Sequence, residues 1–203
     1  MRGNVQDGIS GFKRAPTPGS ALGQEVDAQL VAGSNLNGQT QGLATVAGIT
    51  TVTWTDASPT AAEFVSKVWQ GYREISEAGG GPAEPGPDNY LVVVHPRRLG
   101  FLAAAAGNTA GLAGLPPLPG RVVPSTGVRT GLGASTSEDE AYVIARDEVF
   151  VSGDGPSFHV HESVGSNTLT VRIQATQYVA AMFSRRPKAI ARITGTGMVA
   201  PTL

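Results

Sequence analysis

The sequence contains no cysteine, which excludes a disulfide framework and thiolate metal sites and leaves packing or assembly as the sources of mechanical stability. Charge is sparse as well. Only 15% of residues are charged, and 15 Lys+Arg against 16 Asp+Glu leave a formal net charge of -1. There is no basic field to hold nucleic acid and no acidic tail to mimic it, so partners held mainly by charge are not expected. Among the basic residues only Lys13, Lys67 and Lys188 are lysines, a bias that with abundant Ala and Gly points to a GC-rich genome rather than to a function. Long apolar runs are missing too. Residues 90–94 and 101–106 are far too short for a membrane span, and residues 1–20 have no apolar core of the secretory kind, so a soluble protein is expected.

What is abundant is backbone punctuation. Gly 27 and Pro 14 make up about a fifth of the 203 residues, roughly double the usual share, which argues against a helical bundle. Hydrophobic residues at 40% are enough to bury a core, and the length fits one large domain or two small lobes.

Residues 1–23 carry Gly and Pro without a sustained period and read as an extended arm. Val26, Leu30 and Val31 mark a short amphipathic helix that stops at Gly33, followed by a polar, glycine-punctuated loop and a β-rich run over 43–54. Ala61, Phe64, Val65, Val68, Trp69, Tyr72 and Ile75 recur at three- and four-residue steps. They predict a helix with Ser58 as N-cap and Pro59 at the first position, ending at Gly79-Gly80-Gly81. Residues 90–95 are too continuously apolar for an exposed strand and predict one buried on both faces. Pro96 opens a second helix, which His95 is placed to cap. Prolines exclude regular structure through most of 107–133, apart from a short strand at 121–123. Strands are predicted at 141–145, 148–151 and 157–163, then over a long alternating run at 168–184 whose Ala-rich end also allows a helix, and finally at 189–194.

The motifs that carry chemistry are few. His159-Val160-His161 puts two imidazoles on one strand face, a geometry able to bind a metal, but a site needs a third and usually a fourth ligand. The only other histidine is His95, so a wet strand face is the preferred reading and no metal or cofactor is expected. Gly127, Gly131 and Gly133 resemble half of a phosphate loop, but no Gly-Lys-Ser/Thr follows. No Gly-x-Ser-x-Gly elbow is present, and a hydrolytic triad has no support. Glu138-Asp139-Glu140 reads as a solvated acidic turn, with calcium binding as the alternative. The pairs Arg97-Arg98 and Arg185-Arg186 suit subunit salt bridges or helix-start packing better than a nucleic-acid track. By elimination, an interaction or structural role outweighs an enzyme.

Several of these features occur in an order that resembles the major capsid proteins of tailed bacteriophages, with the Hong Kong 97-like fold. Gln29-Leu30, Gly33-Ser34-Asn35 and Gln41-Gly42-Leu43 look like the family's spine-helix end, Gly-rich loop and strand entry. Leu91 to Arg97 resembles its hydrophobic strand and His-Pro turn into a helix, and Leu115, Pro119 and Val122-Val123-Pro124 resemble its Leu-x-Gly-x-Pro-Val segment. Arg186-Pro187-Lys188-Ala189 looks like its C-terminal close. The resemblance covers about residues 24–203. Only residues 1–23 stand where family members carry an N-terminal arm, an extended hairpin and most of a spine helix, so a fragment, a truncated product or a capsid-derived protein is expected.

The resemblance implies an α+β fold with an axial lobe, helices on a small sheet, and a peripheral lobe of long strands plus the spine-helix end. On this sequence it implies a flexible segment at 1–23, the spine-helix end and peripheral-lobe entry at 24–54, mainly axial lobe at 55–155 and mainly peripheral-lobe strands at 156–203. It further implies a non-enzymatic subunit of an icosahedral phage head, assembling with itself into pentamers and hexamers in the host bacterial cytoplasm. Such a shell encloses DNA without sequence-specific contacts and meets scaffold, portal or decoration proteins. The implied subunit-interface candidates are Gly107, Leu112, Leu115, Arg97, Arg98, Arg185 and Arg186. An encapsulin-like compartment subunit, or a truncated binding or adaptor protein using His159 and His161, is the alternative. Some relatives join subunits by a lysine–asparagine isopeptide bond promoted by a glutamate. Here the matching positions are Thr170 and Gln177, and a glutamine cannot accept the proton, so no self-crosslinking is expected.

Overall fold

A computed structural model describes residues 42–82, 86–105, 118–134, 136–155, 157–161, 172–176 and 179–201. The expected arm at 1–23, the helix ending near Ala32 and the interface candidates Gly107, Leu112 and Leu115 lie outside the described residues, as do Thr170 and Gln177.

The described chain begins with a 3-10 turn over Leu43–Thr45 and then strand β1 (Thr50–Thr53). The β-rich run expected over 43–54 is therefore only four residues of strand, because the turn is closed by Thr45, whose N–H and hydroxyl both bond the Gly42 carbonyl. Helix α1 (Ala61–Glu77) follows, and its start corrects the expected Ser58–Pro59 cap. Ser58 N–H is taken by the Asp56 carboxylate at 2.9 Å, while Thr60 and Glu63 exchange bonds: Thr60 N–H to Glu63 Oε2 at 2.8 Å and Glu63 N–H to Thr60 Oγ1 at 3.3 Å. This reciprocal box satisfies two orphan donors at once, which moves the first turn two residues along. The helix ends where Gly79 takes φ 69° and Gly80 N–H returns to the Ile75 carbonyl.

Strand β2 (Tyr90–Val94) leads directly into helix α2 (Pro96–Ala105). Strands β3 (Arg121–Pro124), β4 (Thr130–Leu132), β5 (Glu138–Asp139) and β6 (Ala141–Ala145) come next. They are followed by β7 (Phe150–Gly153), β8 (Ser157–His161), β9 (Arg172–Thr176), β10 (Val179–Met182) and β11 (Ile190–Thr194). The central sheet has the order β1-β11-β6-β2-β3, with parallel pairs at both edges and antiparallel pairs inside. It joins strands from the expected segments 24–54, 55–155 and 156–203, so β1 and β11 hydrogen-bond into the same sheet as β2 rather than standing with the ribbon of long strands.

The sheet is covered on both faces. On one, α1 lays Phe64, Val68 and Ile75 over Val92, Val94, Val143 and Ile193, with Trp54 and Met198 closing the end. Gly71 of α1 sits so close to β6 that an added Cβ would lie 3.1 Å from Val143 Cγ2. On the other face Leu43, Leu91, Val93, Tyr142, Ile144 and Ile190 meet Val149, Val151 and Phe183. Burial of all five residues of β2 agrees with its unbroken apolar run, and each fully buried Val or Leu there stabilises by roughly 1.5–3 kcal/mol.

The remaining long strands form two two-stranded antiparallel ladders, together called the ribbon below. β7 pairs with β10, Val151 opposite Ala181, and β8 pairs with β9, Phe158 opposite Ala175. Three residues separate β7 from β8 and two separate β9 from β10, so the register slips by one between the two ladders.

Candidate assembly surface and its internal ion pairs

The acidic run expected as a solvated turn is the best-buried charged feature of the described chain. Glu138, Asp139 and Glu140 are 8%, 0% and 1% exposed, because β5 and the start of β6 carry them under α2 and the 196–201 segment. Each of the last two carboxylates has an arginine. Asp139 Oδ1 accepts from Arg98 Nη2 at 2.6 Å and Asp139 Oδ2 from Arg97 Nε at 2.9 Å. Glu140 takes a bidentate pair from Arg129, Nε to Oε1 at 2.7 Å and Nη2 to Oε2 at 2.8 Å. The partnership with Glu140 holds the Arg129 guanidinium charged more firmly than usual, and burial pushes the neighbouring Tyr142 hydroxyl well above its ordinary range.

This geometry sorts the interface candidates. Arg98 is 1% exposed, and its Nη2 also donates to the carbonyls of Met198 and Val199, each at 2.9 Å; of the two readings of the basic pair, helix-start packing describes it. It is withdrawn from any surface that a neighbour could reach. Arg97, with its side chain 29% exposed, reaches the surface while donating to the Ser137 carbonyl at 3.1 Å. Arg185 is exposed, with its guanidinium 4.9 Å from the centre of the Phe150 ring. Arg186 binds Glu148 at 2.5 Å and the Gly79 carbonyl at 2.6 Å, so it ties the α1 terminus to the loop before β7.

His95 holds the start of α2 as its sequence position suggests. Its Nδ1 accepts from Arg97 N–H at 3.2 Å, while its carbonyl accepts from Arg98 N–H at 2.9 Å. That bond needs a neutral imidazole, and burial, then the Arg97 charge, lowers the His95 pKa below its ordinary 6.5, against a smaller opposing effect of Asp139. His159 lies exposed on β8, opposite Gln174 of β9. Among the described residues no three His, Asp or Glu side chains stand together as metal ligands, and no helix is long and apolar enough to cross a membrane.

The ribbon carries exposed apolar side chains. Phe158 and Val160 are 66% and 58% exposed, two positions apart and therefore on one face of β8. A two-stranded ribbon is at best marginally stable alone, and here it holds two large apolar side chains in water. In the sequence the pair shows as the apolar positions of the alternation Phe158-His159-Val160-His161.

No protein-family model matches the sequence, and no curated protein matches it. Solved structures do match. A chain from Mycobacterium phage Che8 aligns with a TM-score of 0.59 at 16% identity, covering 91% of this chain and 62% of that one. A virus-like particle from Pyrococcus furiosus aligns with a TM-score of 0.52 at 13% identity, over 84% of this chain and 62% of that one. The capsid of the cyanophage P-SCSP1u gives 0.52 at 11% identity, over 86% of this chain and 61% of that one. At such identities the likeness establishes the fold: the chain has the mixed α+β fold of phage capsid proteins. It spans about 62% of the length of the first of these structures.

Proposed function

We propose that the chain is a non-enzymatic structural subunit of an icosahedral shell of the tailed-phage kind. It assembles with itself into pentamers and hexamers that enclose DNA without reading its bases. The observation that carries this reading is the likeness of fold across 91% of the chain to a phage structure. The exposed Phe158–Val160 pair supports it, since a subunit designed for repeated heterologous contacts keeps apolar surface for its neighbours.

In this reading the central sheet with α1 and α2 is the axial lobe, and the β7–β10 and β8–β9 ribbon belongs to the peripheral lobe with the helix ending near Ala32. Gly107, Leu112 and Leu115 then lie near a capsomer axis, and Arg97, Arg185 and Arg186 face neighbouring subunits. The protein resides in the virion after assembly in the host bacterial cytoplasm, and it meets scaffold, portal or decoration proteins there. The second reading, a compartment shell enclosing a protein cargo, is favoured by the match to the virus-like particle of Pyrococcus furiosus.

Size-exclusion chromatography with negative-stain microscopy tests the shared claim: rings, sheets or shells support it, and a stable monomer opposes it. Nucleic acid extracted from the assembled fraction supports the phage reading, whereas an enclosed protein in its place supports the compartment.

A further inference from the structure

The ribbon has one strand edge that nothing guards. Among the described residues β8 pairs only with β9, so no strand lies along its outer main-chain N–H and C=O groups. An open edge is a template for a further strand, and natural edges are blunted by charge, proline or short length. Other edges here carry such devices. β3 has Arg121 and ends on Pro124, and β9 has Arg172. The remaining edge strands are shorter: β1, β7 and β10 have four residues, β4 three and β5 two. β8 runs for five residues, Ser157-Phe158-His159-Val160-His161, with no lysine, arginine, carboxylate or proline among them. It also belongs to a ladder of two strands, and three or more are the usual minimum for independent stability.

We propose that the β8 edge pairs antiparallel with the β8 edge of a second copy, about a two-fold axis at His159. Parity selects the register. Residues opposite each other in a ladder share a face, so a slip of one residue would set the apolar face of one copy beside the polar face of the other. Centred on His159, all five residues pair. Phe158 meets Val160 of the second copy, Val160 meets the second copy's Phe158, and the two His159 residues stand opposite each other. A slip of two in either direction leaves three pairs and sets Val160 opposite Pro156, or Phe158 opposite Glu162.

The centred register therefore joins the exposed Phe158 and Val160 of both copies into one cluster of four, with two aromatic–β-branched cross-strand pairs. The product is a four-stranded sheet in the order β9-β8-β8-β9. A second copy fits this edge because the contact is isologous, with one segment supplying both sides, and an icosahedral shell contains two-fold axes besides its rings. Five paired residues make a small contact, which holds by repetition within a larger assembly. The inference rests on the self-assembling reading above and names one of its contacts.

The absence of cysteine makes the register directly testable in the full chain. His159→Cys places its thiols on directly opposite residues, with Cα atoms about 4.5–5.5 Å apart and within disulfide range. Phe158→Cys meets its own copy only diagonally, at about 8 Å and out of range, and Gln174→Cys marks the β9 edge. With copper phenanthroline as oxidant, several-fold more covalent dimer is expected from His159→Cys than from either other variant. Equal yields from all three, or no dimer from a correctly folded His159→Cys, overturn the proposal. His159→Lys supplies a second readout by setting like charges opposite each other. Its self-association in sedimentation velocity is expected to weaken several-fold while Tm stays unchanged, and association like that of the parent chain overturns the pairing. The two readings fail separately. A His159-linked dimer without larger species upholds the edge and opposes the shell, whereas rings or shells without that crosslink uphold the shell and remove the edge.

Discussion

Arg98 of α2 and Asp139 of β5 stand 2.6 Å apart with side chains 1% and 0% exposed, 41 positions apart in the chain. The pair fastens the second helix to the strand that enters the sheet at β6, and Arg97 closes it from the surface side. Breaking it by Asp139→Ala leaves a buried cation without its acid, and a loss of about 3–5 kcal/mol is expected in urea unfolding. The double variant Arg98→Met/Asp139→Leu, which removes both charges at similar volume, loses much less than the single one. Equal losses in both would show that packing, not the charge pair, sets the stability of this corner.

His95 makes the start of α2 sensitive to pH. The folded pKa is depressed below 6.5, so as pH falls through 6.5 the unfolded chain takes up a proton that the folded chain resists. The contribution is complete above that pH and is lost progressively between 6.5 and the lower folded value. His95→Asn keeps a good cap and removes the titration. The slope of stability against pH just below 6.5 is expected to flatten in this variant, and an unchanged slope would assign it to another group.

Two glycines separate backbone strain from close approach. Gly79 has φ 69° with open space around its Cα, so Gly79→Ala costs about 1 kcal/mol for the left-handed backbone alone. At Gly80 an added Cβ runs into the Lys188 backbone carbonyl, which a side-chain rotation cannot relieve. Gly80→Ala is therefore expected to cost more than Gly79→Ala, by roughly 1–3 kcal/mol. Comparison of the two unfolding midpoints decides this.

Phe158 and Val160 are predicted to matter for association and not for folding. Phe158→Ser/Val160→Thr changes exposed positions, so monomer stability moves by about 0.5 kcal/mol or less while self-association weakens. Sedimentation velocity over a concentration series reads the second effect and thermal unfolding the first. A variant that associates like the parent chain would remove the ribbon from the contact surface.

Much of the architecture was legible because it is written locally. The run from Tyr90 to Val94 has no polar position and so no wet face, and His95-Pro96 places a capping acceptor directly before a residue that cannot donate. The stripe from Ala61 to Ile75 marks the buried side of α1, although its first turn begins two residues beyond Pro59, because Thr60 and Glu63 close a reciprocal box. The burial of the acidic run is not written locally. Nothing near Glu138-Asp139-Glu140 in the chain distinguishes a solvated turn from a buried one, since Arg97 and Arg98 arrive from about forty residues away through the β2–β6 pairing. Only the apolar strand immediately after Glu140 hinted that the chain was already entering the core.

Native mass spectrometry of the purified chain tests the shell reading most directly. The account predicts five- and six-fold multiples of the 20.8 kDa subunit, together with larger closed assemblies. A single mass of 20.8 kDa at every concentration, from a chain that unfolds cooperatively, would contradict it.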